Sequence, residues 1–231
     1  MSEHVLETQN IKMYFGGVHA VDDISVYVDK NEILGVIGPN GSGKTTLVNV
    51  LTGIYTPTEG KVFFQGQDIT GKKLENMTGL GIARTFQNLR IFKALTVMDN
   101  VLVGQHLSMK TNAFDVMFHG KHYKAVEAEA REKASKALAM VGLEKNTEDF
   151  AGALPYGAQK RLELARALVM DPKLLMLDEP TAGLHGVESE ELMMKLSDRV
   201  LVMDAGRKLA LGVPAEIQSN QAVIKAYLGE G

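Results

Sequence analysis

The chain has no cysteine and no tryptophan. Without thiols it can hold neither a disulfide framework nor a thiolate metal site, which agrees with a reducing compartment. No apolar run approaches the roughly 18 residues of a membrane-spanning helix, so any work at a membrane has to pass through a partner. Met1–Asn10 carries neither the basic start nor the apolar core of a secretory signal. Charge bias is missing too. A formal net charge of -3 offers no basic face for nucleic acid. What remains is an ordinary globular composition, 45% hydrophobic and 23% charged, over 231 residues. That length is enough to bury one sizeable α/β core. The twelve methionines read as core filler.

Hydrophobic patterning predicts strands at Val5–Asn10, Ile24–Val28 and Ile33–Ile37, the last a buried run. A helix is expected over Thr45–Thr52, stopped by Gly53, then a turn at Thr56–Gly60 and a hairpin over Lys61–Ile69. Lys121–Met140 places Val126, Ala130, Ala134, Ala137, Leu138 and Val141 along one face of an amphipathic helix. A second helix is expected at Gln159–Val169, then a short apolar strand at Leu174–Leu177, a hairpin at Arg199–Leu211 and a helical tail at Pro214–Leu228. Strand–helix alternation predicts a mostly parallel sheet with helices packed on it. Residues 91–153 carry no strand signal and read as a helical insertion.

Two stretches carry chemistry. Gly38, Gly43, Lys44 and Thr45 occupy the fixed positions of G-x-x-x-x-G-K-[ST], between a strand-like and a helix-like segment. Glycines let such a loop curl so that its N–H groups face phosphate oxygens, and the following helix adds its positive N-terminal end. Lys44 is then expected at the β and γ phosphates and the Thr45 hydroxyl on Mg²⁺. A glycine-rich turn that binds nothing fits four matched positions in that setting far less well. The second stretch is the apolar run Leu174–Leu177 ending in Asp178 and Glu179. There Asp178 suits Mg²⁺, and Glu179 suits the polarisation of an attacking water. His119 and His122 suggest a metal at first sight, but they lack a third ligand and read as an exposed loop.

Leu154-Pro-Tyr-Gly-Ala-Gln159 and the helix after it resemble the signature motif of the ATP-binding cassette (ABC) family, usually L-S-G-G-Q. Gln87 resembles the family's Q-loop glutamine, Ala182–His185 its D-loop, and Phe15, or Tyr14 beside it, the aromatic that stacks on adenine. These motifs come in family order over nearly the whole chain. The stretches Phe15–Asp23, Gly81–Phe92, Leu154–Gly157 and Ala226–Glu230 look most like the ATPase subunit of bacterial importers for branched-chain amino acids. Urea or amide importers and lipopolysaccharide-export ATPases are near relatives of that branch.

The resemblance implies a P-loop ATPase core with a mostly parallel sheet, an antiparallel β subdomain and a helical insertion. Residues 1–90 with 170–231 form the core, and 91–169 the helical subdomain. It implies ATP and Mg²⁺ as cofactors. Phe15, Asn40, Gly41, Ser42, Gly43, Lys44, Thr45 and Thr46 hold the nucleotide, as do Tyr156, Gly157 and Gln159 from a second copy facing head to tail. Thr45, Gln87 and Asp178 serve the metal; Glu179, Gln87 and Lys44 serve catalysis. The implied partners are membrane-spanning permease subunits, a second ATPase subunit, identical or not, and indirectly an extracytoplasmic substrate-binding protein. The place is the cytoplasmic face of the membrane, peripherally bound, with no nucleic acid. A nucleic-acid-directed ABC ATPase is the rival of another class; its usual coiled coil or tandem cassette does not fit this length. A small P-loop kinase or GTPase is opposed by the signature segment.

Two departures stand out. Pro155 replaces the usual signature serine and removes a hydroxyl and a backbone N–H; it is read as a trait of this branch. After Glu179 the family has a helix, another parallel strand with a switch histidine, and a short helix, whereas here Val187–Leu192 runs straight into Met193. A helix, a strand and their loops would occupy roughly 20–30 residues. None of the six histidines replaces the missing one. Of a true deletion and a segment left out of the written chain, the second is preferred, because a deletion removes a central strand.

Overall fold

The computed structural model describes residues 4–85, 91–105, 121–177 and 194–228, with backbone alone at 121–125. By its contacts the chain divides into two compact units, Met1–Leu80 with Leu184–Gly231, and Gly81–Gly183.

The first unit holds two sheets. Strands β1 (Leu6–Phe15), β2 (Val18–Ile24), β3 (Tyr27–Val28), β5 (Glu59–Phe64) and β6 (Gln67–Asp68) form an antiparallel sheet in the order β2-β1-β5-β6, with β3 also on β1. The sequence reading ended β1 at Asn10, a turn-former, yet the strand continues to Phe15. Asn10 adopts φ 49 at a register shift, and its side chain donates to Asp23 Oδ1 at 2.8 Å. Asparagine tolerates that left-handed conformation, so the strand bulges and bends instead of stopping. The single strand expected over Ile24–Val28 is replaced by the end of β2 and the short β3. At the break, the buried Thr8 hydroxyl accepts from the Val26 N–H at 2.8 Å, taking over a ladder bond.

The second sheet of this unit runs β10 (Arg207–Gly212), β9 (Arg199–Asp204), β4 (Leu34–Ile37), with β4 parallel to β9 and β10 antiparallel to it. No strand pairs with the other edge of β4 among the described residues. Helix α1 (Lys44–Leu51) follows β4 and buries Leu47, Val50 and Leu51. It ends as expected: Gly53 takes φ 74 and the Ile54 N–H reaches back to the Asn49 carbonyl, an αL stop that glycine makes cheap. A short helix, α2 (Leu74–Leu80), escaped the sequence reading.

In the second unit, β7 (Ile82–Arg84) and β8 (Leu174–Met176) form a parallel pair. With them go α3 (Val97–Gln105), α4 (Lys121–Met140), a 3₁₀ turn at Ala151–Ala153, and α5 (Tyr156–Leu168). The face expected on α4 is the buried one: Ala130, Ala134, Ala137 and Leu138 are at most 4% exposed. Ala134, Ala137 and Leu138 join Val97, Val101, Leu143, Leu162 and Ala165 in one core. Small residues bring the helices close, and a β-carbon on Gly104 of α3 would stand 2.8 Å from the Arg166 carbonyl of α5. The three-residue β7 was not read as a strand, since it is too short for periodicity to register. The helical tail is two helices of the first unit, α6 (Pro214–Ser219) and α7 (Gln221–Leu228). Asn220 breaks it by turning extended and accepting the Ala222 N–H on its own side chain at 2.9 Å.

Candidate functional site

The loop between β4 and α1 is shaped by its glycines. Gly38, Gly41 and Gly43 all take positive φ, at 150, 82 and 97. Two of them are also pressed against backbone: a β-carbon on Gly38 would lie 2.0 Å from the Met203 carbonyl oxygen, and one on Gly43 2.2 Å from that of Ala20. At Gly41 the added atom would meet nothing within 4 Å, so this bend is open. Lys44 reaches back across the loop, its ammonium donating to the carbonyls of Gly38 at 2.6 Å and Pro39 at 2.9 Å. The N–H groups of Gly41, Gly43, Thr45 and Thr46 have no acceptor among the described residues. Thr45 and Asn40 are exposed, while Ser42 is buried under the loop. Unfilled amides, a helix N-terminus and a flanking ammonium make an anion receptor. The donor set therefore fits a phosphate chain, and the Thr45 hydroxyl on its rim suits a hard divalent cation.

The loop is backed by a turn. The Gly206 N–H donates to the Ser42 carbonyl at 3.1 Å, and the Asp22 N–H donates to the Gly206 carbonyl at 2.8 Å. Asp22 in turn accepts two hydrogen bonds from Arg207, at 3.0 and 2.7 Å, and one from the Tyr14 hydroxyl at 3.0 Å. Arg207 first, then Tyr14, holds the Asp22 carboxyl below its usual range. Burial, and next the Asp22 hydrogen bond, pushes the Tyr14 phenol up, so it stays a donor. The Tyr14 ring also stacks on His19 at 4.0 Å. With face and hydroxyl both engaged, Tyr14 is committed to structure. Phe15 is 44% exposed and meets Tyr55 edge-to-face, centroids 5.3 Å apart. Of the two aromatics left open by the sequence, Phe15 is the one with a face to offer. Sequence reading missed Asp22, Arg207 and Tyr55, whose roles depend on contacts between distant strands and leave no local pattern.

In the second unit, the expected signature residues start α5. Pro155 is its N-cap, with φ -56 and ψ 151 and no side-chain cap. Its carbonyl accepts the N–H groups of Ala158 and Gln159, and the Gln159 amide donates to the Leu154 carbonyl at 2.8 Å. The N–H groups of Tyr156 and Gly157 have no acceptor among the described residues. Tyr156 is 57% exposed, and the space beside Gly157 is open. This helix start is thus bare, a second anion-receptive end. Gln87, Asp178, Glu179, the Ala182–His185 stretch and the Leu192–Met193 join lie outside the described residues. So does the His119 loop.

Comparison with known proteins gives a consistent result. The family described as ABC transporter matches residues 21–182, and that described as branched-chain amino acid ATP-binding cassette transporter matches residues 207–231. The chain is 39% identical to the high-affinity branched-chain amino acid transport ATP-binding protein BraF of Pseudomonas aeruginosa and 38% identical to LivG of Escherichia coli K12, over 100% of each chain. Both alignments span 254 positions against 231 residues here, and the full sequence runs from Leu192 directly into Met193, so the expectation of an omitted segment is not met and the chain itself is shorter. Among solved structures, the ADP conformation of MJ1267, an ATP-binding cassette of an ABC transporter, matches with a TM-score of 0.80 at 32% identity, covering 99% of this chain and 100% of that one.

Proposed function

The chain belongs to the ABC transporter family, and from that premise we propose that it is the ATP-hydrolysing subunit of a bacterial importer for branched-chain amino acids. The observation that carries this is the loop from Gly38 to Thr46. Its unfilled amides and the Lys44 ammonium are grouped at the start of α1. Such a grouping binds a triphosphate by backbone dipoles and one cation, with little dependence on side-chain identity elsewhere.

In this reading the Gly41, Gly43, Thr45 and Thr46 amides receive phosphate oxygens, Lys44 meets the β and γ phosphates, and Phe15 stacks on the adenine. Mg²⁺ would be held by Thr45 with Gln87 and Asp178, and it would neutralise charge on the β and γ oxygens. Glu179 takes a proton from the attacking water. A second copy or a related subunit presents its own Tyr156–Gln159 segment, whose bare helix end stabilises the outer phosphate of the nucleotide bound by the first. Closure follows from the stronger hold of the closed pair on ATP than on ADP, a shift of population set by differential affinity.

Among the described residues no helix is long and apolar enough to cross a membrane. The membrane step therefore falls to permease subunits, which place this subunit peripherally at the cytoplasmic face, with a substrate-binding protein on the far side. The substrate assignment rests on the names of BraF and LivG and on the C-terminal match. Reconstitution with branched-chain amino acid permease subunits tests the reading. ATP-dependent uptake of leucine, isoleucine or valine is expected, at the slow rate that the shortened stretch after Glu179 permits. Uptake of urea or amides, or extrusion of lipopolysaccharide, would replace the substrate while keeping the ATPase role.

A further inference from the structure

The reading of Phe15 and the phosphate loop leaves open what holds the base-binding aromatic in step with the phosphate receptor. The two sit on different elements, Phe15 at the end of β1 and the loop between β4 and α1. The segment His19–Asp22 of β2 lies between them in the chain of contacts. Its backbone is pressed on the loop at one point and on the backing turn at another. A β-carbon on Gly43 would meet the Ala20 carbonyl, and one on Gly206 would stand 2.7 Å from the His19 carbonyl. β2 also pairs with the very end of β1, Phe15 opposite Val18 and Tyr14 opposite His19.

Asp22 is where these contacts are tied together by side chains. Its Oδ2 accepts two hydrogen bonds from Arg207, the residue after Gly206, and its Oδ1 accepts one from the hydroxyl of Tyr14, the residue before Phe15. The Asp22 side chain is 13% exposed and Arg207 74%, so the carboxylate is the fixed centre and the guanidinium closes over it from solvent. We propose that Asp22 and Arg207 are positioning residues that lock the β1–β2 hairpin carrying Phe15 to the Gly206 turn behind the phosphate loop, so that base and phosphate recognition act as one site. This rests on the ATP-binding role given above. Neither residue touches the ligand in it. They act through Tyr14 on one side and Gly206 on the other.

The arrangement separates two effects that a merely structural salt bridge would not. Breaking the tie frees the hairpin while the loop keeps its own support, the Gly206 N–H on Ser42 and the Lys44 ammonium on Gly38. The base contribution is lost and the phosphate contribution stays. Calorimetric titration of the full chain with Mg-ATP and with Mg-tripolyphosphate reads both, for wild type, Asp22→Asn, Arg207→Gln and the double variant. Arg207→Gln removes the tie from the solvent side, so it reports even if the change at the buried Asp22 prevents folding. Lys12→Gln, which removes the ion pair of Lys12 with Glu59 on the neighbouring strand, is the control.

The expected result is ATP affinity weakened about threefold to tenfold in either single variant, as for directly coupled residues. Tripolyphosphate affinity stays unchanged, the double variant is no worse than the singles, and Lys12→Gln behaves as wild type. Equal weakening of both ligands, or unchanged ATP affinity in Arg207→Gln, overturns the inference and leaves the nucleotide site standing. A wild type that binds ATP no better than tripolyphosphate overturns the assignment of Phe15 and this inference with it.

Discussion

The α-carbon of Gly43 faces the carbonyl of Ala20 so closely that a single added methyl would lie 2.2 Å from the oxygen. Gly43 is also the N-cap of α1 at φ 97. Alanine there is strained twice, once by a left-handed conformation costing on the order of 1–3 kcal/mol and again by the backbone it displaces. Gly43→Ala is therefore expected to lower the melting temperature by roughly 5 °C and to abolish measurable ATP binding. Gly17→Ala, with open space and no positive φ, should do neither. Scanning calorimetry of the two variants side by side makes the comparison. Equal behaviour would mean that the loop is not gripped by β2.

The Lys44 ammonium donates to the carbonyls of Gly38 and Pro39, six and five residues before it in the same loop. Its loss should leave the fold intact. A hydrogen bond to a charged group is worth roughly 1.5–3 kcal/mol. Lys44→Ala is accordingly expected to weaken ATP by at least about tenfold with an unchanged circular-dichroism spectrum. Undiminished affinity by calorimetry would remove Lys44 from the site.

Much of this site was legible in the sequence because it is local. Gly38 through Thr46 and Leu154 through Gln159 are contiguous stretches whose backbone chemistry their own residue types dictate, and the α4 face from Ala130 to Leu138 follows from helical spacing. What escaped is non-local. The extension of β1 past Asn10 depends on Asp23 accepting its side chain, and the engagement of Tyr14 depends on Asp22 and His19 of the neighbouring strand. Strands as short as β7 and β3 exist only because a partner is in place, so no window of their own sequence announces them.

The Asp22 carboxyl, held low chiefly by Arg207, gives a pH dependence with a definite sign. A carboxyl whose folded value lies below its unfolded one stabilises the fold above the ordinary range and loses that contribution as pH falls through the folded value. The stability difference between wild type and Asp22→Asn should thus be constant from pH 7 down to about 5, and shrink below about 4 as the group protonates. Thermal unfolding of both proteins across that range measures it. A difference that grows on acidification would contradict the ionised state of Asp22 in the fold.

The direct join of Leu192 to Met193 has the largest expected consequence. Among the described residues, β4 is paired only with β9 and β8 only with β7. Relatives align over 254 positions where this chain has 231 residues, a shortfall of the size that one helix and one strand would fill. Each buried backbone group left unpaired costs about 1–3 kcal/mol, so a few of them rival the 5–15 kcal/mol stability of a typical domain. The resemblance to ABC ATPases also places the histidine that senses the γ-phosphate in the stretch that this sequence shortens. The 231-residue chain is therefore expected to bind ATP through its intact loop, unfold at low denaturant, and release phosphate slowly. A chimera carrying the corresponding BraF segment between Leu192 and Met193 should gain stability and turn over faster by about 10²-fold or more, the scale of one catalytic group. Denaturant titration and phosphate release, measured on both proteins, decide it. Full turnover by the shorter chain would show that neither the strand nor its histidine is needed here.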